Sequence, residues 1–308
     1  MASLRTLRRR IKTSKNISQI TRAMEMVAAS KMKRAQEAAT RGRIYSEELT
    51  KILNKLASNI TANEHPMLQP GNPDGETGVL LLSTDKGLCG GLNTNLFLKV
   101  RRLQEQLADK VFKFVTVGKR GRDYVVKSGG NLWASFIELG DKPHPEVVRP
   151  IAKLLIDGFM SGELSEVWVV YPAFVSTLTQ EPRYIKLLPI KDLDVPQTEK
   201  HTPLGKAEAP LPAQAGSQEG NKVGDYVFEP SADKILDWLL PYFVENRIYQ
   251  LILEAKASEQ SARMVSMKNA HDNAQELVGD LKLTYNRMRQ ARVTNELLDA
   301  IGSRMALA

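Results

Sequence analysis

Apolar residues recur every three or four positions at both ends of this chain, and in short unbroken runs between them. Leu4, Leu7 and Ile11, then Ile17, Ile20, Met24 and Val27, then Ala28, Met32, Ala35 and Ala39, and finally Tyr45, Leu49, Ile52 and Leu56 keep a helical period over residues 3–59. At ~1.5 Å per residue that helix is about 86 Å long. The pattern returns with Val244, Ile248, Leu251, Ala255, Ser258, Ala262 and Val265, and then with Ala270, Ala274, Leu277, Leu281, Tyr285, Met288 and Leu298. It predicts a second helix over residues 242–305, about 96 Å long. Helix breakers avoid both ends: all 15 prolines lie within 66–241, and 17 of the 20 glycines within 71–224.

A compact domain is only about 30 Å across, so neither helix can bury its stripe inside one globule, and the two are predicted to pack on each other. Spacings of three and four average below the relaxed helical period, which predicts a left-handed coiled coil. One helix opens the chain, the other closes it and a domain stands between them, so the pair is predicted to be antiparallel. The carboxyl end then lies near the amino-terminal half of the first helix or projects beyond it.

The middle of the chain reads as α/β. Strands are predicted at 78–83, 111–117, near Trp133, at 167–171 and around 184–189, with helices at 93–108, 119–127 and 145–160. The strands have the apolar runs of buried parallel strands, and the order predicts a doubly wound, Rossmann-like domain of about five strands. The chain thus divides into an N-terminal coiled-coil helix (1–60), a central α/β domain (76–195), a Pro-, Gly- and Gln-rich stretch without apolar period read as a mobile insertion (196–224), and a C-terminal coiled-coil helix (225–308).

Charge sharpens this division. The net +8 of the 308 residues comes entirely from residues 1–60, which carry +10, against −2 for 61–230 and zero for 231–308. Such a segment calls for an acidic partner: nucleic acid, an anionic membrane or an acidic protein surface. One cysteine, Cys89, excludes an internal disulfide, and His65, His144, His201 and His271 are too scattered for a local metal motif. No run approaches the roughly 18 apolar residues that span a bilayer, and no apolar signal core follows Arg5, Arg8, Arg9 and Arg10. A transit peptide also has an Arg-rich, acid-poor start, but here the helical period runs through the basic cluster and continues.

Candidate chemistry is sparse. Asp85, Gly87, Cys89, Gly90 and Gly91 lie in a turn directly after the first strand, where a doubly wound fold places a ligand. The spacings of a phosphate loop are absent, so the competing reading is a tight turn that lets strand and helix pack closely. Lys86 near Cys89 would lower the thiol pKa, but no catalytic partner accompanies it, and a structural thiol is the alternative. Arg5, Arg8, Arg9, Arg10, Lys12, Lys15, Arg22, Lys31, Lys33 and Arg34 form a basic face. It could follow phosphates, form a solvated surface or sit inside a protein sleeve; Tyr45, the only aromatic of the segment, argues against stacking on bases. Methionine and alanine take places where leucine is usual, among them Met24, Met26, Ala28 and Ala29, then Met264 and Met267. They suit coiled-coil packing and also a smooth surface that slides against a partner.

The stretch ISQITRAMEMVAASKM at 17–32 resembles the amino-terminal helix of the gamma subunits of rotary proton-translocating ATP synthases. STDKGLCGGLN at 83–93, ASEQSARM at 257–264 continuing to Asn273, and YNRMRQARVTNEL at 285–297 resemble that family in the same order, over essentially the whole chain. The resemblance implies a noncatalytic rotor shaft. Its coiled coil enters a hexamer of alpha- and beta-type subunits, while the middle domain stands on a membrane proteolipid ring and meets an epsilon-type subunit. No cofactor, metal or nucleic acid is implied, membrane contact runs only through the ring, and the place is the cytoplasmic face of a bacterial plasma membrane. By the same resemblance Arg289 and Gln290 form a hydrogen-bonding catch with a catalytic-subunit loop, Met24 belongs to the neck facing acidic loops, and Tyr226 and Glu229 lie near the ring and the epsilon-type subunit. Lys31, Lys33 and Arg34 add charge to the neck contact.

Two features depart from the family pattern. The tip reads Gly302, Ser303, Arg304, Met305, Ala306 where relatives often have a smaller Gly-Ala-x-Ala-like end, and residues 196–224 hold no cysteine, so a regulatory dithiol there cannot operate. The readings from other classes are a basic coiled-coil protein that binds nucleic acid and an enzyme using the Gly87–Gly91 turn as its ligand site.

Overall fold

The computed structural model describes residues 3–59, 65–141, 143–190 and 232–305. The predicted insertion at 196–224, together with Tyr226 and Glu229, lies outside the described residues. Ten elements follow one another: α1 (Leu4–Asn59), β1 (Glu76–Leu82), α2 (Leu92–Gln106), β2 (Phe112–Val117), α3 (Lys119–Lys127), β3 (Asn131–Phe136), α4 (Pro145–Met160), β4 (Leu164–Phe174), β5 (Gln180–Leu188) and α5 (Ala232–Met305).

The five strands form one sheet in the order β3-β2-β1-β4-β5. β1 pairs in parallel with β2 and with β4, and β2 with β3. The last strand departs from the expectation of parallel pairing: β5 runs antiparallel to β4. Only five residues separate the two, enough for a hairpin and far too few for the crossover that a parallel partner needs. The order reverses at β1, so right-handed crossovers put α2 and α3 on one face and α4 on the other. Side chains alternate accordingly. Val79 and Leu81 of β1 pack with Leu96, Val100, Leu103 and Val125 from α2 and α3. Leu80 and Leu82 turn to the opposite face and join Ile151 and Leu155 of α4 in the main core.

The long helices pair antiparallel. Arg8 meets Tyr285, Ser18 meets His271, Gly42 lies against Gln250 and Tyr45 meets Tyr242, so the partner number falls as the α1 number rises. α5 begins ten residues before the predicted start and passes through Pro241. A proline inside a helix costs about 3 kcal/mol; here Leu236, Leu239, Leu240, Phe243 and Val244 are buried on either side of it and outweigh that cost. Those residues, with Leu49 and Leu53 of α1, sit in the main core under the sheet. The foot-side ends of both helices therefore bury their stripes in the α/β domain as well as in each other.

Along α1 the buried line keeps Leu7, Ala28, Ala35 and Leu49 of the predicted stripe and departs from it at Ile17, Ile20 and Val27. Leu7, Ser14, Thr21, Ala28, Ala35 and Leu49 are buried at multiples of seven, with Ser18, Ser46 and Leu53 on the companion line. Ile17, Ile20 and Val27 are 47%, 59% and 54% exposed. Both stripes share one period, and the seam selects the one with small side chains, which lets the backbones approach. Two of its hydroxyls have named partners: Thr21 Oγ1 donates to the Ile17 and Ser18 carbonyls, and Ser18 Oγ lies 3.0 Å from His271 Nδ1. The bulkier ridge faces outward.

Candidate partner-binding surface and the turn after the first strand

The turn that leaves β1 is held by its own polar groups. Thr84 Oγ1 donates to the Lys86 carbonyl, and Asn93 Nδ2 donates to Thr84 Oγ1 at 2.8 Å and to Cys89 Sγ at 3.3 Å. Asp85 Oδ1 accepts from the Lys119 and Glu138 backbone amides, tying together three loops at the carboxyl ends of β1, β2 and β3. Gly90 takes a left-handed φ of 58°, the conformation that favours glycine, and Leu88 adopts 63° without that freedom. Cys89 is 3% exposed beside Leu92 and Ala262. Burial pushes its thiol pKa up, against a smaller lowering pull from Arg263. Its burial and the direction of this shift are the opposite of what activation by Lys86 would produce.

In a doubly wound sheet a ligand lies in the crevice beyond the carboxyl ends of the strands, where the order reverses. Here that crevice holds α5. Ile252, Ala255, Lys256 and Glu259 close over Ser83, Thr84, Asn93 and Pro172, and leave a cavity of about 10 Å³. That is room for one water at most, and the turn that carries Asp85, Gly87, Cys89, Gly90 and Gly91 lies against that helix through Asp85, Gly87 and Cys89.

The seat is polar on two sides of α5. On one side Arg263 donates to the Gly87 carbonyl and pairs with Glu259 at 2.8 Å, while Lys256 lies 3.4 Å from Glu259 and 4.0 Å from Asp85. On the other, Ser261 Oγ donates to the Thr177 carbonyl, Gln180 Nε2 donates to Ser261 Oγ, and Glu254 accepts from the Phe174 amide. Ser258, Glu259, Gln260 and Ser261 are all buried. Sequence reasoning missed these contacts and that of Asp141. The one available signal is the polar run SEQS at 258–261, set inside an otherwise periodic helix.

The other site residues lie along the shaft. Met24 is half-buried beside the exposed Ile20, Met26 and Val27. Lys33 and Arg34 are exposed, with Arg34 donating to Ser30 Oγ. Lys31 reaches Asp141 in the loop before α4 at 2.7 Å, a partly exposed pair, and this contact holds the Asp141 carboxyl below its usual pKa. Arg8 packs over the Tyr285 ring and donates to its hydroxyl. Arg289 and Gln290 are exposed, and so is every residue from 289 to 298, because α5 outruns the start of α1. The structure brings Met24 and Lys31 to one level of the shaft and keeps Arg289 and Gln290 apart from them at its far end. Among the described residues no helix is long and apolar enough to cross a membrane, and no cluster of His, Cys, Asp or Glu could hold a metal ion.

The family model described as ATP synthase matches residues 3–307. An ATP synthase gamma chain of Dehalococcoides mccartyi is 42% identical over 311 aligned residues that cover all of both chains. That of Roseiflexus castenholzii is 41% identical, with all of this chain and 99% of the relative covered. Among solved structures, a chain of the Euglena gracilis mitochondrial ATP synthase, in an OSCP/F1/c-ring structure, aligns with a TM-score of 0.64 at 17% identity over 99% of this chain and 94% of that one. A chain of the Tetrahymena thermophila mitochondrial central stalk and c-ring aligns with a TM-score of 0.57 at 21% identity, covering 82% of this chain and 99% of that one. At such identities the structures speak for the fold, while the curated relatives speak for descent. By its sequence from end to end, the chain belongs to the ATP synthase gamma chain family.

Proposed function

We propose that this chain is the noncatalytic central rotor shaft of a rotary ATP synthase, transmitting torque between a membrane proteolipid ring and a catalytic hexamer. One observation carries the reading: the shaft turns its apolar ridge of Ile17, Ile20 and Val27 outward and keeps Ser14, Ser18, Thr21 and Ala28 for its own seam. An exposed apolar ridge among basic side chains fits a protein sleeve with acidic loops. It does not fit nucleic acid, since Tyr45, the segment's only aromatic, is engaged edge-on with Tyr242.

In this reading alpha- and beta-type subunits surround the part of the coiled coil that stands clear of the α/β domain, while the helix ends that carry Leu49, Leu53 and Leu236 stay buried in that domain. Met24, Lys33 and Arg34 face the catalytic subunits' loops, and Lys31 contributes only what its pairing with Asp141 leaves. Arg289 and Gln290 form the catch near the far end. The central domain, 76–195, is the foot; Tyr226 and Glu229 approach the ring and an epsilon-type subunit at the cytoplasmic face of a bacterial plasma membrane. Rotation couples to nucleotide affinity because the shaft contacts open and closed catalytic subunits differently. The test is reconstitution with the hexamer and a fluorescent probe on the foot. ATP should turn the probe; a hexamer that hydrolyses ATP with the chain bound and stationary would sink the proposal.

A further inference from the structure

A shaft transmits torque only if it cannot spin in its socket, and apolar contacts resist spinning poorly because they have no direction. The seam with α1 is of that kind where it is lined by Ala28, Ala35, Met267 and Ala274. The polar contacts on α5 are different. Glu254 and Ser261 are seven residues apart and so lie within about 20° of each other on the helix, as do Lys256 and Arg263. The two pairs are offset by two residues, or about 200° around the axis. The hairpin 174–180 holds the first pair, through the Phe174 amide, the Thr177 carbonyl and Gln180. The turn 84–91 holds the second, through Asp85 and the Gly87 carbonyl. Both loops are rooted in the sheet: the hairpin joins β4 to β5, and Asp85 is fixed by the amides of Lys119 and Glu138.

We propose that the hairpin 174–180 and the turn 84–91 act as a two-jawed key that grips α5 on opposite faces over residues 254–263, and that this polar grip carries torque between the sheet and the shaft. It rests on the rotor reading above and adds the residues through which the foot drives the helix. Turning α5 by one residue position would move Lys256 off Asp85, Ser261 off Thr177 and Arg263 off Gly87 together. It would leave the nearly buried Lys256 and Arg263 with Glu259, on their own helix, as their remaining partner. The Lys31–Asp141 pair ties α1 to the foot as a third point.

The test uses the complete complex in vesicles and reads ATP hydrolysis and ATP-driven ion uptake together. Lys256→Met keeps the length and apolar stem of the side chain, and Ser261→Ala loosens the opposite jaw. The double variant is expected to hydrolyse ATP at nearly the original rate while uptake per ATP falls several-fold, and Lys256→Arg is expected to keep the original ratio. An unchanged ratio in the double variant overturns the key, as does a fall in uptake that only follows a fall in hydrolysis. Should Lys256→Met fail to assemble, Ser261→Ala with Gln180→Leu carries the same readout, and an unchanged ratio there overturns the key equally. Absence of ATP-driven uptake with the unaltered chain would instead defeat the rotor reading, which separates the two failures.

Discussion

Cys89 is buried between α2 and α5, and its raised pKa follows from that burial. The folded state holds the thiol neutral, so its contribution to stability is complete below the unfolded-state pKa of about 8.5 and is lost as pH rises through the higher folded value. Cys89→Ser is expected to flatten the alkaline side of the stability–pH curve, measured by denaturant unfolding between neutral and strongly alkaline pH; an unchanged slope would contradict the assignment. Gly118 offers a second residue-scale test. Its φ is 93°, and a Cβ there would lie 2.4 Å from the Ser83 carbonyl oxygen. Gly129 has a φ of 71° with nothing within 4 Å of the added carbon. Gly129→Ala should cost about 1 kcal/mol of backbone strain alone, and Gly118→Ala about 3 kcal/mol or more, because rigid backbone must also shift. Thermal unfolding of the two variants side by side separates strain from collision. The glycine-rich turn was visible in the sequence, but its purpose was not: Gly87 lies 176 positions from Arg263 on α5, and only folding brings them together.

At the scale of elements, α1 carries two stripes of equal period, and one amino-acid pattern cannot say which of them meets α5. The helix itself and its antiparallel pairing were legible, because periodicity and the scarcity of breakers determine them. The seam was not, because Ser14, Ser18 and Thr21 score as polar while Ile17, Ile20 and Val27 score as core. The choice depends on the distance between backbones and on a partner outside the chain. Ala28, 1% exposed, has no room to grow, so Ala28→Leu is expected to cost about 1–3 kcal/mol by overpacking. Ile20→Ser, at an exposed position, should change the stability of the free chain by less than about 0.5 kcal/mol while weakening its binding to the hexamer. Denaturant unfolding and a binding titration on both variants check the contrast; the opposite ordering of stabilities would restore the isoleucine stripe to the seam. The same ambiguity explains β5: an apolar run marks a strand, but the five residues between β4 and β5 decide its direction.

For the whole molecule, the proline- and glycine-rich middle gives the α/β domain and the breaker-poor ends give the long helix pair, because both follow from backbone chemistry. What joins them, the polar seat at 254–263, is tertiary and was hidden inside a periodic helix. Beyond Met288 the shaft is a single helix. Residues 289–298 are exposed without exception, and α5 continues to Met305, about 25 Å past the paired region. An isolated helix of this length is marginal in water, and residues 289–298 bury nothing against the rest of the chain. Ending the chain after Met288 is therefore expected to leave the thermal unfolding midpoint unchanged and to reduce the helical circular dichroism in proportion to the residues removed. The same truncation takes away Arg289 and Gln290, so the affinity for the hexamer should fall while the foot remains intact. A lowered midpoint would show that the projecting helix folds back onto the paired region, and unchanged affinity would remove the far end of the shaft from the contact with the hexamer.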